Sequence, residues 1–501
     1  MDTGNAAWML MAATLVFVMT PGIALFYGGM VRAKSVLNML MLSAGALAVT
    51  AIVWTLWGWS IAFAGDDIGG IFGDPAKGFL LKDAIVSNNG VFTAADSSGN
   101  YPANINIAFQ AALAMFAVAL ISGALAERIR YSSWMLFVVL WITFVYAPLA
   151  HMTWNGGLLS ATGAISQAIG APIRDFAGGS VIQVNAAIAA LVIVLVIGTR
   201  KDFGKQLPRP HNVPLVLIGA FLLWFGWFGF TGGSALAANG TAGYVWMSTA
   251  ISGAAGMLAW GFTEKIRSGH YTAVGAASGI ISGLAAITPG ANVVSPLWAL
   301  VIGAIAGLLA CLACGMKNRF GYDDSLDVVA VQGVSALLGI VLVGVFAEGT
   351  GLVFGGWRQL LAQVCLAVVT LLYSGALTAL IAFVLEKTIG WRVSDADELR
   401  GMDLIDQGEQ AYDFARLPSL LLAGNRDDSV PGEAASLQVE LDDFRLASPS
   451  LSDDSKQADE SAQTVDSVES WSGEAQEDSK SAQQSDTQSV KDDENPKEDQ
   501  Q

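Results

Sequence analysis

Three side chains in this sequence are of types that hold a small cation. Trp154 closes the run Ala150-His-Met-Thr-Trp, Phe230 ends Gly226-Trp-Phe-Gly-Phe, and Ser234 follows in Thr231-Gly-Gly-Ser. Aromatic faces attract a cation through the ring quadrupole, and a hydroxyl oxygen accepts a hydrogen bond from a cationic N–H. Trp and Phe at helix ends also serve as interfacial belt residues, so residue type alone leaves both roles open. Asp175 opens Asp-Phe-Ala-Gly-Gly-Ser directly before an apolar run. A carboxylate there either caps the helix N-terminus or ligates a cation, and near a membrane its charge demands one or the other. Thr288, in Thr288-Pro-Gly-Ala-Asn, is equally a path-lining hydroxyl or a turn residue.

Two buried amides form a second constellation. The segments Val181-Ile-Gln-Val-Asn-Ala-Ala-Ile and Ala330-Val-Gln-Gly-Val-Ser-Ala-Leu resemble each other when Gln183 is aligned on Gln332, with Asp175 and Asp327 as the acids upstream. Glutamine both donates and accepts, so the pair either lines a polar path or holds two helices together.

These residues must be positioned by apolar helices. The chain has 501 residues, 53% hydrophobic and only 14% charged, far below the quarter charged that is usual in soluble domains. Nine charge-free intervals between residues 3 and 385 are each long enough to span a bilayer. Those at 210–263 and 268–316 are long enough for two helices each, broken at Thr231-Gly-Gly-Ser and Thr288-Pro-Gly. The interval 131–173 is one helix plus a Gly-rich loop. An all-α polytopic membrane protein of eleven transmembrane helices follows. Placing the glutamines on the fifth and tenth helices fits an inverted five-helix repeat plus one extra helix, with the path at the repeat interface.

Alternate loops carry twelve basic residues, from Arg32 to Arg319, against four (Lys77, Lys82, Arg174, Arg358) in the others. The basic-residue rule then places the N-terminus outside and the C-terminus in the cytoplasm. The expected organisation is a transmembrane domain at 1–388, a cytoplasmic C-terminal segment at 389–416 and an acidic disordered tail at 417–501. Residues 389–501 hold 28 of the 43 acidic residues and 9 of the 26 basic ones, too polar a mixture to bury a core. Cys311, Cys314 and Cys365 lie in apolar runs and read as packing groups. No Ser–His pair, His-Glu-x-x-His motif or paired catalytic carboxylate falls within the apolar intervals, which argues against an intramembrane enzyme. No cofactor is expected, and no nucleic-acid partner.

Pro21-Gly-Ile-Ala-Leu-Phe-Tyr-Gly-Gly, Gly123-Ala-Leu-Ala-Glu-Arg, Ala150-His-Met-Thr-Trp, Asp175-Phe-Ala-Gly-Gly-Ser, Gly226-Trp-Phe-Gly-Phe and Gly408-Glu-Gln-Ala-Tyr stand in an order that resembles the ammonium transporters of the Amt/Mep/Rh family. The resemblance covers roughly residues 5 to 414. It implies transport of ammonium or methylammonium through a pore in each subunit of a homotrimer in the plasma membrane. It also implies an outer recruitment site at Trp154, Phe230 and Ser234 supported by Asp175, and a P-II-type regulatory protein at the cytoplasmic face. Three positions depart from the family pattern. Gln183 and Gln332 stand where paired pore histidines are usual, Leu113 where a second outer-gate Phe is usual, and Gln407 where the tail motif usually has His. Phe116, three residues after Leu113 and on a similar helix face, can replace the missing ring in part. A proton relay of the imidazole kind is impossible with glutamine. An ammonium sensor that signals through its tail is the alternative function.

Overall fold

The computed structural model describes residues 2–412 apart from 96, 99 and 206–209. The expected acidic tail, 417–501, lies outside the described residues. The helices are α1 Thr3–Met30, α2 Ala33–Gly58, α3 Ala103–Leu125, α4 Tyr131–Trp154, α5 Gly179–Ile197, α6 Val213–Gly233, α7 Gly240–Ser268, α8 Ala273–Ile287, α9 Pro296–Phe320, α10 Val329–Phe346 and α11 Trp357–Thr388. Among the described residues nine helices, all but α7 and α8, are long and apolar enough to cross a membrane. At 15 residues, α8 rises only about 22 Å of the ~30 Å a hydrocarbon core requires. The breaks expected at Thr231-Gly-Gly-Ser and Thr288-Pro-Gly fall where α6 and α8 end.

Short polar side chains set the helix starts. Asn212 Oδ1 accepts from Leu215 N at 3.0 Å, Asn239 Oδ1 from Ala242 N at 3.1 Å, and Thr272 Oγ1 from Gly275 N at 2.9 Å. Each satisfies one of the backbone donors that the first helical turn leaves without a partner. Helices α7 and α9 then interlock through small residues. A Cβ on Gly303 would stand 2.3 Å from Ser252 O, and one on Gly307 2.2 Å from Gly256 O. Any side chain at either glycine would push the backbones apart, which is why small residues recur four apart on both helices.

The packing repeats between halves. Helix α1 lies along α6, and the neighbours α1–α2, α1–α3, α2–α3, α2–α4 and α3–α5 recur as α6–α7, α6–α8, α7–α8, α7–α9 and α8–α10. Helix α11 stands outside this scheme, against α5 and α10. One contiguous apolar core runs through the first half and much of the second.

At one end of the bundle the basic loops meet the segment after α11. Trp391 is fully buried beside Phe137, and Arg130 N donates to Trp391 O at 2.8 Å. Lys201 pairs with Asp395 at 2.6 Å and Arg392 with Glu398 at 2.5 Å. Asp403 accepts from Asn38 N at 2.8 Å near the start of α2. Residues 389–412 are therefore bound to the loops that carry Arg32, Arg130 and Lys201.

Beneath this segment lies a buried charge cluster. Asp323 accepts from Arg200 N at 2.8 Å, Arg200 Nε at 2.9 Å and Arg128 at 3.1 Å, while Glu127 pairs with Arg200 at 2.9 Å and Arg32 at 2.7 Å. Burial alone would push both carboxyls up. The flanking arginines more than offset that and hold Asp323 and Glu127 below the usual carboxylate range.

Candidate conduction path and its outer mouth

Helices α5 and α10 both open with a π-helical turn, Gly179–Val184 and Val329–Val334, and each turn carries its glutamine. A widened turn projects a side chain off the regular helical stripe, a device frequent at functional sites. Each turn is also capped by an aspartate eight residues before the glutamine. Asp175 Oδ2 accepts from Ser180 N at 3.0 Å and Val181 N at 3.3 Å, and also from the Ser180 hydroxyl. Asp324 accepts from Val328 N at 3.0 Å and Val329 N at 2.7 Å.

The counterpart of Asp175 is thus Asp324 and not Asp327, the acid matched to it by sequence. Asp327 instead sits at φ 60° and pairs with Lys317 at 2.9 Å. Burial raises Asp175 against the pull of its Ser180 and Val181 hydrogen bonds, and burial with Asp327 nearby pushes Asp324 up to about 6. The capping role expected for Asp175 is present. Its second oxygen, Oδ1, is buried without a protein partner.

The Trp154 end of the candidate path is organised around the α8–α9 break. Ala177 N donates to Thr288 O at 3.2 Å and Phe176 N to Pro289 O at 2.9 Å, so the break clasps the segment that carries Asp175. A Cβ on Gly179 would meet the Pro289 ring at 2.8 Å, a close approach only glycine permits. Trp154 Nε1 donates to Asp175 O at 2.9 Å, which ties the end of α4 to the same segment. The Thr288 hydroxyl donates to Leu284 O at 2.7 Å and accepts from Trp227 Nε1 at 3.1 Å. Thr288 therefore acts as a joint, fixing Trp227 by its side chain and Ala177 by its carbonyl.

Trp227 is the residue that sequence reasoning missed; only its place in Gly226-Trp-Phe-Gly-Phe hinted at it. It forms an aromatic triad with Phe116 and Phe230, whose centroids lie 5.8 Å (Phe116–Trp227), 6.1 Å (Phe116–Phe230) and 5.5 Å (Trp227–Phe230) apart. Phe116 meets both rings edge-on, the geometry favoured by the quadrupole. Phe116 and Phe230 are fully buried, and Ser234 Oγ donates to Phe230 O at 2.9 Å. Leu113 is buried one turn before Phe116.

Since Phe116 already fills the space against Phe230, Leu113→Phe should overpack the site by about 1–3 kcal/mol. Adding Phe116→Ala should recover part of that loss. Thermal unfolding of the single and double variants in detergent checks this; strict additivity would mean that the two positions share no space.

The two amides are buried as well. Gln183 is 0% and Gln332 2% exposed. Both Gln183 Nε2 and Gln183 Oε1 lack a hydrogen-bond partner, as does Gln332 Oε1. The two side chains are not bonded to each other. A Cβ on Gly333 would stand 2.8 Å from the Ala187 Cβ, so α5 and α10 cross closely just beyond the amides.

The profile of the Ammonium Transporter Family matches residues 7–412. An ammonium transporter of Mycobacterium tuberculosis is 46% identical over 437 residues, covering 83% of this chain and 91% of its own. One of Aquifex aeolicus is 45% identical over 421 residues, covering 83% and 94%. Among solved structures, one titled "Sensor Amt Protein" superposes with a TM-score of 0.73 at 28% identity, over 81% of this chain and 98% of its own. With an inverted helical repeat, twin π turns that each carry a buried glutamine and matches of this length and identity, the chain belongs to the ammonium transporter family.

Proposed function

We propose that this protein carries ammonium across the plasma membrane along a path of its own in each subunit, without an imidazole relay. Ammonium is captured at Trp154, Ser234 and Asp175, passes the Phe116–Phe230 closure, and then meets Gln183 and Gln332. The observation that carries this reading is Gln183, fully buried with both amide atoms unpartnered. An amide serving as interhelical glue would be bonded to the neighbouring helix, since each orphaned buried polar group costs about 1–3 kcal/mol. An amide facing a polar path finds its partners in what moves along it.

The remaining family expectations form part of the same reading. Eleven crossings, a homotrimer and a P-II-type partner belong to it, and the basic loops gathering where residues 389–412 bind support a cytoplasmic segment 389–416 and an outer N-terminus. Methylammonium uptake into proteoliposomes tests the reading. Uptake should saturate and should exceed that of empty vesicles at least tenfold; uptake equal to empty vesicles would sink it.

Sensing is the second reading. It is supported by the similarity to the protein titled as a sensor and by the anchoring of residues 389–412 to the loops between helices. Ammonium-dependent capture of a partner by residues 389–501, with no flux, would establish it over transport.

A further inference from the structure

The two halves of the repeat build equivalent joints at opposite ends of α5. Asp175 caps the start of that helix, whereas Asp323, next to Asp324, accepts from Arg200 N just past its end. The 19 residues of α5 set the two aspartate segments about 28 Å apart. At the first end the carbonyls of Thr288 and Pro289, after α8, hold Ala177 N and Phe176 N. At the second end the last turn of α3 holds the Asp324 segment in the same manner, with Ser325 N donating to Ala124 O at 3.3 Å. The first helix of each half braces its joint with an aromatic donor: Trp227 of α6 bonds to Thr288 Oγ1, and the Tyr27 hydroxyl of α1 donates to Leu120 O at 3.1 Å.

One partner differs in kind. The backbone carbonyl of Asp175 accepts from the indole of Trp154, at the end of α4. That of Asp324 accepts from Lys317 Nζ at 3.0 Å, near the end of α9, the helix that answers α4 in the repeat. The same ammonium pairs with Asp327 Oδ1 at 2.9 Å, and the Lys317 side chain is only 18% exposed. Asp327 makes this contact from φ 60°, a left-handed conformation uncommon outside glycine.

A lysine head is a primary ammonium with three N–H donors, the same group as methylammonium. The Trp154 end offers an aromatic ring and a carboxylate oxygen, Asp175 Oδ1, that has no protein partner. The Lys317 end holds a fixed ammonium instead, and both carboxylate oxygens of Asp324 are taken, by Val328 N and Val329 N.

We propose that Lys317 is a specificity-determining residue that makes the two mouths unlike: its tethered ammonium fills the place at which this end would hold a transported cation. Like charges at contact distance repel, and the acceptors there are already bonded. Capture is therefore confined to the Trp154 end, and a cation arriving at the Lys317 end is released. This rests on ammonium being captured at Trp154 and carried along the path. An ion pair that merely ties α9 to the start of α10 has a different signature, because Asp327→Asn breaks the pair yet leaves the ammonium on Asp324 O.

In liposomes holding the full chain in one orientation, at zero membrane potential, methylammonium is supplied to one face and then to the other. In the wild type the KM from the Lys317 end should exceed that from the Trp154 end about fivefold. Lys317→Met, which keeps an aliphatic side chain and removes the charge, should lower the KM from the Lys317 end about fivefold and change that from the Trp154 end less than twofold. Lys317→Arg and Asp327→Asn should keep the wild-type difference. Equal KM values from the two ends of the wild type would overturn the proposal, whether or not Lys317→Met folds. So would a KM that Lys317→Met leaves unchanged, or that Asp327→Asn lowers equally. Flux absent from the wild type sinks the transport reading instead, and calorimetric titration with methylammonium then decides the proposal alone. Lys317→Met should bind one methylammonium more per chain than the wild type, and an equal number overturns it.

Discussion

Exchanging both buried amides for imidazoles, Gln183→His with Gln332→His, is expected to raise the ratio of ammonium to potassium current about tenfold, a difference of ~1.4 kcal/mol. Amide oxygens can coordinate a partly dehydrated cation of either kind. A pair of imidazoles passes a proton and presents fewer oxygen ligands to potassium. The double variant should also acquire a pH dependence in the imidazole range, which the amides cannot supply. Each single variant should fall well short of the double, because a relay needs both rings. Currents recorded from the same liposomes in ammonium and then in potassium decide the matter. An unchanged ratio would mean that selectivity is set elsewhere, at the aromatic triad.

Asp323→Ala is expected to cost about 3–5 kcal/mol of stability, the usual penalty for leaving buried charge uncompensated. Arg128 and Asp323 are both fully buried, and Arg200 is 7% exposed. Without the carboxylate, Arg128 loses its ion-pair partner and keeps only the weaker field of Asp324, while Arg200 keeps Glu127. Asp323→Asn should fall between, since the amide retains an acceptor and loses the charge. In detergent the apparent unfolding temperature of the alanine variant should drop by roughly 10 °C. A drop under about 2 °C would show the cluster to be dispensable.

The same cluster has a pH consequence of definite sign. The carboxyls of Asp323 and Glu127 lie below their ordinary range in the folded protein. Their contribution is therefore complete above about pH 4–5, where the unfolded carboxyls ionise, and is lost as pH falls through the lower folded values. The wild type should lose stability on acidification below about pH 4 more steeply than Asp323→Asn.

Much of this protein was legible in its sequence because the bilayer imposes a one-dimensional rule. Charge-free intervals of spanning length mark helices wherever no water is present to satisfy backbone groups. That rule located the helices, the two breaks at Thr231 and Thr288, and the change of composition near residue 389. The small residues at 252, 256, 303 and 307, where α7 and α9 interlock, likewise recur four apart along each helix, a spacing that is a property of that helix alone. Recurrence of a Gln-bearing segment in each half likewise pointed to the repeat. Even the family could be read from ordered motifs.

What the sequence left open were relations between segments distant in the chain. It offered Asp327 as the partner of Asp175 because an acid lay near; the backbone put Asp324 on the cap and turned Asp327 toward Lys317. It left Thr288 as either lining or turn, and the fold made it the joint between Trp227 and the Asp175 segment, an arrangement joining residues 177, 227 and 288. It gave no partner for His151, while the tertiary structure set two acceptors against its ring, Ala62 O and Asp67 Oδ1, the latter 84 residues earlier in the chain. Sequence by itself determined which segments are helices and which residue types could bear chemistry, because propensity and hydropathy are local. Only the tertiary structure decided which of those residues meet and which polar atoms go without a partner, because hydrogen bonds and ring contacts depend on distances in space that spacing along the chain does not fix.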